Sequence, residues 1–151
     1  SEQAVDGARI RGRRGGAWRV FPRAGRVFLP GCYKFLYIHV MAIKLLRFRG
    51  DSLVALREFS ADARQDAGFQ LDRVQRGLEP DDWKPMATVG AGAKELRIWD
   101  ETGAFRVIYL AKLAEAVYVL HCFQKKTEQT SEKDIQLARK RYRDLIEEKR
   151  R

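Results

Sequence analysis

The chain has 151 residues, 45% of them apolar and 33% charged, a length that suits one compact domain burying roughly two thirds of its unfolded surface. Thirty Lys and Arg against 20 Asp and Glu leave a formal charge of +10, which favours an anionic partner, most simply nucleic acid. Cys32 and Cys122 stand far apart with no CxxC, so neither a disulfide framework nor a zinc site is signalled and a reducing cytosol is expected. The least polar window, "VFLPGCYKFLYIHVMAIKLL", is broken by Pro30, Lys34, His39 and Lys44 and is followed by no small-residue cleavage pattern, which argues against a membrane span and a secretory signal.

The charge is uneven. Residues 1–40 hold eight basic and two acidic side chains, a surplus of six, and residues 41–151 hold the remaining 22 and 18, a surplus of four. The opening "GARIRGRRGGAWRVFPRAG" mixes Gly and Arg without an apolar period, the pattern of a poorly ordered basic arm. Residues 1–40 are therefore expected to be an extension, with Met41 a candidate start, and residues 41–151 the domain.

"MAIKLLRF" reads as a strand. "DSLVALREF" then turns helical, and Ser60 can cap a second helix whose Ala63, Ala67, Leu71, Val74 and Leu78 form one stripe, stopped by Gly77 and Pro80. "EPDDWKPMATVGAGA" reads as a loop. Three strands are expected at 94–99, 104–111 and 116–124, joined by "DETG" and "KLAE" as antiparallel hairpins. A last helix opens at Ser131, with Asp134 completing a capping box and Ile135, Ala138, Tyr142 and Leu145 on one face; its "EEKRR" end reads as solvated. Strand, two helices, three strands and helix make an α+β domain.

If each hairpin closes symmetrically about its connection, Arg97 faces Arg106 and Arg106 faces His121 across three neighbouring strands. Phe123 and Lys125 share that face by alternation. Like charges directly opposite are destabilising, and a bound phosphate would offset the repulsion through charge-assisted hydrogen bonds. The other reading is that the arginines lie over apolar strand surface around a satisfied, half-buried His121. A one-residue slip in either hairpin would move part of the row to the opposite face. Trp99 and Tyr109 read first as core aromatics and second as base-stacking groups, Glu95 as a salt-bridge partner first and a proton acceptor second, and Tyr142 as packing the last helix onto the sheet.

The succession "LREF", "QLDRVQRGLEPDDWKPM", "VGAGAKELRI", "FRVIY", "YVLHCFQKKT" and "DIQLARKRY" resembles the phage-derived branch of the RelE/HigB-type toxins of bacterial type II toxin–antitoxin pairs, over residues 41–146. The resemblance implies a RelE-like α+β domain in the bacterial cytoplasm and ribosome-dependent, metal-independent mRNA cleavage. It also implies neutralisation by a helix-turn-helix antitoxin of the HigA/Xre kind, with operator DNA bound only through that antitoxin. The matching positions are Arg97 in "ELR", Arg106 in "FRVIY", Lys125 with Lys126 beside it at the end of the last strand, and His121 in the "LHxFxKK" pattern. A tyrosine or histidine near the chain end, present in related toxins as a proton-transfer group, has no clear match, and the 40-residue extension has no counterpart.

No Asp/Glu/His cluster suited to a metal is visible and no cofactor is expected, so catalysis rests on positive charge. Arg106 and Lys125 are assigned to stabilising a phosphorane, Arg97 to positioning the phosphate, and His121 to proton transfer. Lys94, Phe123 and Lys126 are read as RNA contacts. Two alternatives stand: a ParE-like topoisomerase poison, against which "HxFxKK" argues, and a catalytically silent RNA- or antitoxin-binding module.

Overall fold

The computed structural model describes residues 2–4 and 43–151; the expectations for the rest of the 1–40 arm lie outside the described residues. In chain order the elements are β1 Glu2–Ala4, β2 Leu45–Arg49, α1 Ser52–Arg57, α2 Ala61–Gln75, β3 Trp83–Pro85, β4 Ala93–Asp100, β5 Gly103–Leu110, β6 Ala116–Lys125 and α3 Glu132–Arg150. The strands form one mixed sheet in the order β1-β2-β6-β5-β4-β3, in which only β2 and β6 run parallel. The α+β class holds, and two short edge strands are added: β1 within the expected arm, and β3 within the expected loop.

Helices cover the sheet on both faces. On one side α1 and α2 bury Leu53, Leu56, Ala63, Ala67, Leu71 and Val74 against Phe48, Leu96, Val107, Tyr109, Val117 and Val119. Ser60 caps α2 by accepting from the Ala63 N–H at 3.2 Å. Leu78 departs from its expected place in the stripe: α2 stops at Gln75, Gly77 turns the chain at φ +79°, and Leu78 stands 49% exposed. On the other side α3 packs Ala138 and Leu145 onto Ile108, Leu110, Tyr118 and Leu120. Its start is fixed by Ser131, which accepts from the Asp134 N–H at 3.2 Å. Tyr142 donates to the Ala91 carbonyl at 2.8 Å over Gly90, where a Cβ would fall 2.3 Å from the ring. The C-terminal end is clasped to the sheet side rather than solvated throughout: Arg49, 5% exposed, donates to both carboxylate oxygens of Glu148 at 2.9 and 2.7 Å, and Lys149 pairs with Glu115 at 2.9 Å.

The β4–β5 register is the expected one, with Arg97 opposite Arg106 and Trp99 opposite Ala104. The β5–β6 register is not. Leu110 faces Tyr118, one residue beyond the symmetric closure, and an irregularity follows at Ile108/Tyr109, after which Arg106 faces Phe123 and Ile108 faces His121. Leu120 is the residue left without a partner, a bulge that reverses the alternation of β6: Val117 and Val119 belong to the α1/α2 core before it, and Cys122 belongs there after it. The slip and the bulge each shift the pairing by one, so together they return His121, Phe123 and Lys125 to the face that carries Arg106.

Candidate functional site

The α3-side face of the sheet has two parts. Beneath α3 it is apolar. Past the N-terminus of α3 it is polar and carries Lys84 of β3, Glu95, Arg97 and Trp99 of β4, Arg106 of β5, and Phe123 and Lys125 of β6, all on one side because β3–β4, β4–β5 and β5–β6 pair them directly or at the next alternate position.

Glu95 is the centre of this strip and is fully buried. Its Oε1 lies 3.4 Å from Arg106 Nε, 3.6 Å from Lys84 Nζ and 4.0 Å from Arg97 Nε, and its Oε2 accepts from the Thr130 hydroxyl at 3.2 Å. The carboxylate thus supplies part of the compensation that crowded arginines require, a part the sequence reading gave first to a phosphate. It does not supply all of it. Four cations, Lys84, Arg97, Arg106 and Lys125, stand against Glu95 and the marginal Asp82, which is 3.8 Å from Arg97.

Arg106 is 2% exposed. Its Nη1 donates to the Phe105 carbonyl at 2.9 Å, whereas its Nε, like Arg97 Nε and Glu95 Oε1, has no hydrogen-bond partner. Burial lowers the Arg106 pKa from its ordinary value, Glu95 raises it and Arg97 lowers it again. The indole of Trp99 lies over its guanidinium, 4.8 Å from carbon to ring centroid. Lys125, half-buried, has its pKa lowered by desolvation first and then by the positive field of Arg106, with Glu95 acting in the opposite sense. Orphaned donors and a surplus of cations in a partly desolvated strip are what an anion such as a phosphate would satisfy.

His121 sits on the expected face but not in the expected row, because the β5–β6 register places it opposite Ile108 and not Arg106. Its Nε2 is 2.7 Å from Asp134 Oδ1, its ring stacks on Phe123 at 5.2 Å, and its Nδ1 is buried without a partner. It is buried, 8% exposed, with one ring nitrogen bonded and the other not, and is shared between β6 and the first turn of α3. Lys126 is exposed just past the end of β6.

Lys94 is not brought to this strip. Opposite Tyr109 in the register, it is on the α1/α2 side, over the Trp83 ring at 4.2 Å and 3.5 Å from Glu79. Tyr109 is in the core, 1% exposed, with burial pushing its phenol pKa well up. Lys84 was missed because "WKP" offered no strand signal beside its proline. The placement of Glu95 opposite Ile108 follows from the same β4–β5 register that the sequence reading used for Arg97.

Searches of curated proteins and of solved structures return no significant match. One family model, described as phage derived protein Gp49-like (DUF891), matches residues 55–143, a span that starts in α1, ends in α3 and includes every residue of the strip. The chain belongs to this Gp49-like family, a RelE/toxin-like family of toxin–antitoxin systems.

Proposed function

We propose that the chain is the toxin of a type II toxin–antitoxin pair and acts as a ribosome-dependent, metal-independent mRNA endonuclease, silenced by a helix-turn-helix antitoxin. The observation that carries this reading is the buried Arg106, whose Nε has an ion pair with Glu95 but no hydrogen bond, with Arg97, Lys84 and Lys125 around it on one open sheet face. Such a strip suits a phosphate whose charge grows as the adjacent ribose 2′-hydroxyl attacks it. The 2′-proton is taken up as the bond to the 5′-oxygen breaks and that oxygen is protonated, which leaves a 2′,3′-cyclic phosphate and a 5′-hydroxyl. Arg106 and Lys125 stabilise the phosphorane, Arg97 holds a non-bridging oxygen, and Lys126 holds the neighbouring backbone. Phe123 lies on the same side and flanks the strip.

His121 is the proton-transfer residue of this proposal. Asp134 fixes its ring through Nε2, which leaves Nδ1 as the exchanging atom. Since that atom is beneath the surface, exchange requires local opening around β6 and the start of α3. Weak acid–base groups suit an enzyme whose substrate is aligned by the ribosome.

The test is Arg106→Ala in a growth-arrest assay coupled to in vitro cleavage of a translated message. The rate should fall about 100- to 1,000-fold, as for loss of one electrostatic stabiliser, and arrest should disappear. Undiminished toxicity and cleavage would refute the assignment. His121→Gln with full activity would remove proton transfer from His121 alone.

A further inference from the structure

We infer that Trp99 is a stacking platform for a nucleobase of single-stranded RNA next to the phosphate held by Arg106 and Lys125. This rests on the endonuclease reading above and adds to it a group that binds base rather than backbone.

Trp99 is 63% exposed, the most exposed of the large hydrophobic side chains among the described residues. A tryptophan at an inward-pointing strand position is ordinarily covered, and here its cross-strand partner is Ala104, too small to cover it. The next residue in that row is Lys125, opposite Ala104. Trp99 and Lys125 therefore stand on the same face on either side of Ala104, their strands two spacings or about 10 Å apart. Arg106 lies against the ring, 4.8 Å from its centroid, so the stacking surface and the phosphate-binding charge are contiguous.

The backbone that carries the ring is also tied down. Asp100, the next residue, accepts from the Thr102 N–H at 2.7 Å, the Thr102 hydroxyl at 2.6 Å and the Gly103 N–H at 3.1 Å, and also from the Ser60 hydroxyl. Gly103 closes the turn at φ +138°, a conformation that suits glycine. The strand end that carries Trp99, the turn and the cap of α2 are thus tied together, so little backbone ordering remains to be done when a base docks. Other partly exposed aromatics lack this setting: Phe69 is on α2, and Trp83 lies under Lys94 on the other side of the sheet. Every base has a π-face, so stacking here would favour RNA over a featureless polyanion without demanding one sequence.

The experiment is single-turnover cleavage on ribosomes programmed with one message, in which each nucleotide flanking the cleaved bond is replaced in turn by an abasic ribose. Wild-type protein should lose roughly 10- to 100-fold at one flanking position, the worth of one stacked base. Trp99→Ala should show that loss on the intact message and no further loss on the abasic one, while Trp99→Phe, which keeps a π-face, should retain most of the rate on the intact message. Wild-type rates for Trp99→Ala, or a loss that adds in full to every abasic loss, would overturn the inference. If Trp99→Ala weakens antitoxin binding and leaves both cleavage rates unchanged, the ring is a protein-docking residue and the inference also falls. Loss of cleavage in Arg106→Ala with none in Trp99→Ala would sink this inference alone; a wild-type chain that cleaves no message would sink the endonuclease reading with it.

Discussion

The two halves of the α3-side sheet face share the strands β4, β5 and β6 yet hold opposite chemistry. Beneath α3, Ile108, Leu110, Tyr118 and Leu120 meet Ala138 and Leu145 in a sealed apolar layer. A few residues further along β4, β5 and β6, the same alternation presents Glu95, Arg97, Arg106 and Lys125 to open solvent or to one another. The first half contributes stability in proportion to the apolar area it buries. The second spends stability on an electrostatic field, holding a surplus of cations and a nearly buried guanidinium whose Nε lacks a hydrogen bond. Such local frustration is what a bound anion would relieve under the proposed function.

Glu95→Gln should break the contrast most severely. Removing the buried carboxylate leaves Arg106 uncompensated, a cost of about 3–5 kcal/mol, read as a lowered denaturant midpoint. Leu145→Ala should cost about 2–5 kcal/mol by opening a cavity under α3, and should leave the affinity of the folded protein for translating ribosomes unaltered, since the strip lies beyond that layer. Ser60→Ala removes the cap of α2 and should cost about 1 kcal/mol. Lys125→Met should have the opposite sign: the charged form is disfavoured in the folded protein, so its removal should raise stability slightly in chemical denaturation while cleavage falls.

The pH dependence separates the strip from the clasps of α3. The Lys125 pKa is lowered on folding, so its penalty is present at neutral pH and is relieved as pH rises through the depressed value. Asp51, held by Arg141, and Glu148, held by Arg49, have lowered pKa values. Their contribution is present above about pH 4 and is lost as pH falls through the folded values. Thermal melts should therefore show an acid limb that shrinks in added salt, because both carboxylates are exposed, and that is reduced in Glu148→Gln.

Periodicity and caps made most of the fold legible: Ser60 and Ser131 cap the helices they were expected to cap, and the short "DETG" connection placed Arg97 opposite Arg106. Two features were not legible for a shared reason, that strand pairing depends on backbone geometry no local pattern encodes. The Leu120 bulge displaced His121 from the Arg106 row, and the face survived only because the turn slipped by one residue as well. Lys84 and the covered side of Glu95 depend on β3, an edge strand three residues long. Trp99 read as core because alternation predicts which face a residue joins, and cannot say where a covering helix ends.

The most direct measurement maps mRNA 5′ ends in bacteria after brief induction of the chain, with wild type and Arg106→Ala compared in translating cells and in cells whose initiation is blocked. New 5′ ends within translated frames for wild type, absent without translation and absent in Arg106→Ala, are the predicted result. Growth arrest with an unchanged 5′-end map, or cleavage equally strong in Arg106→Ala, would contradict the assignment of this strip to RNA cleavage.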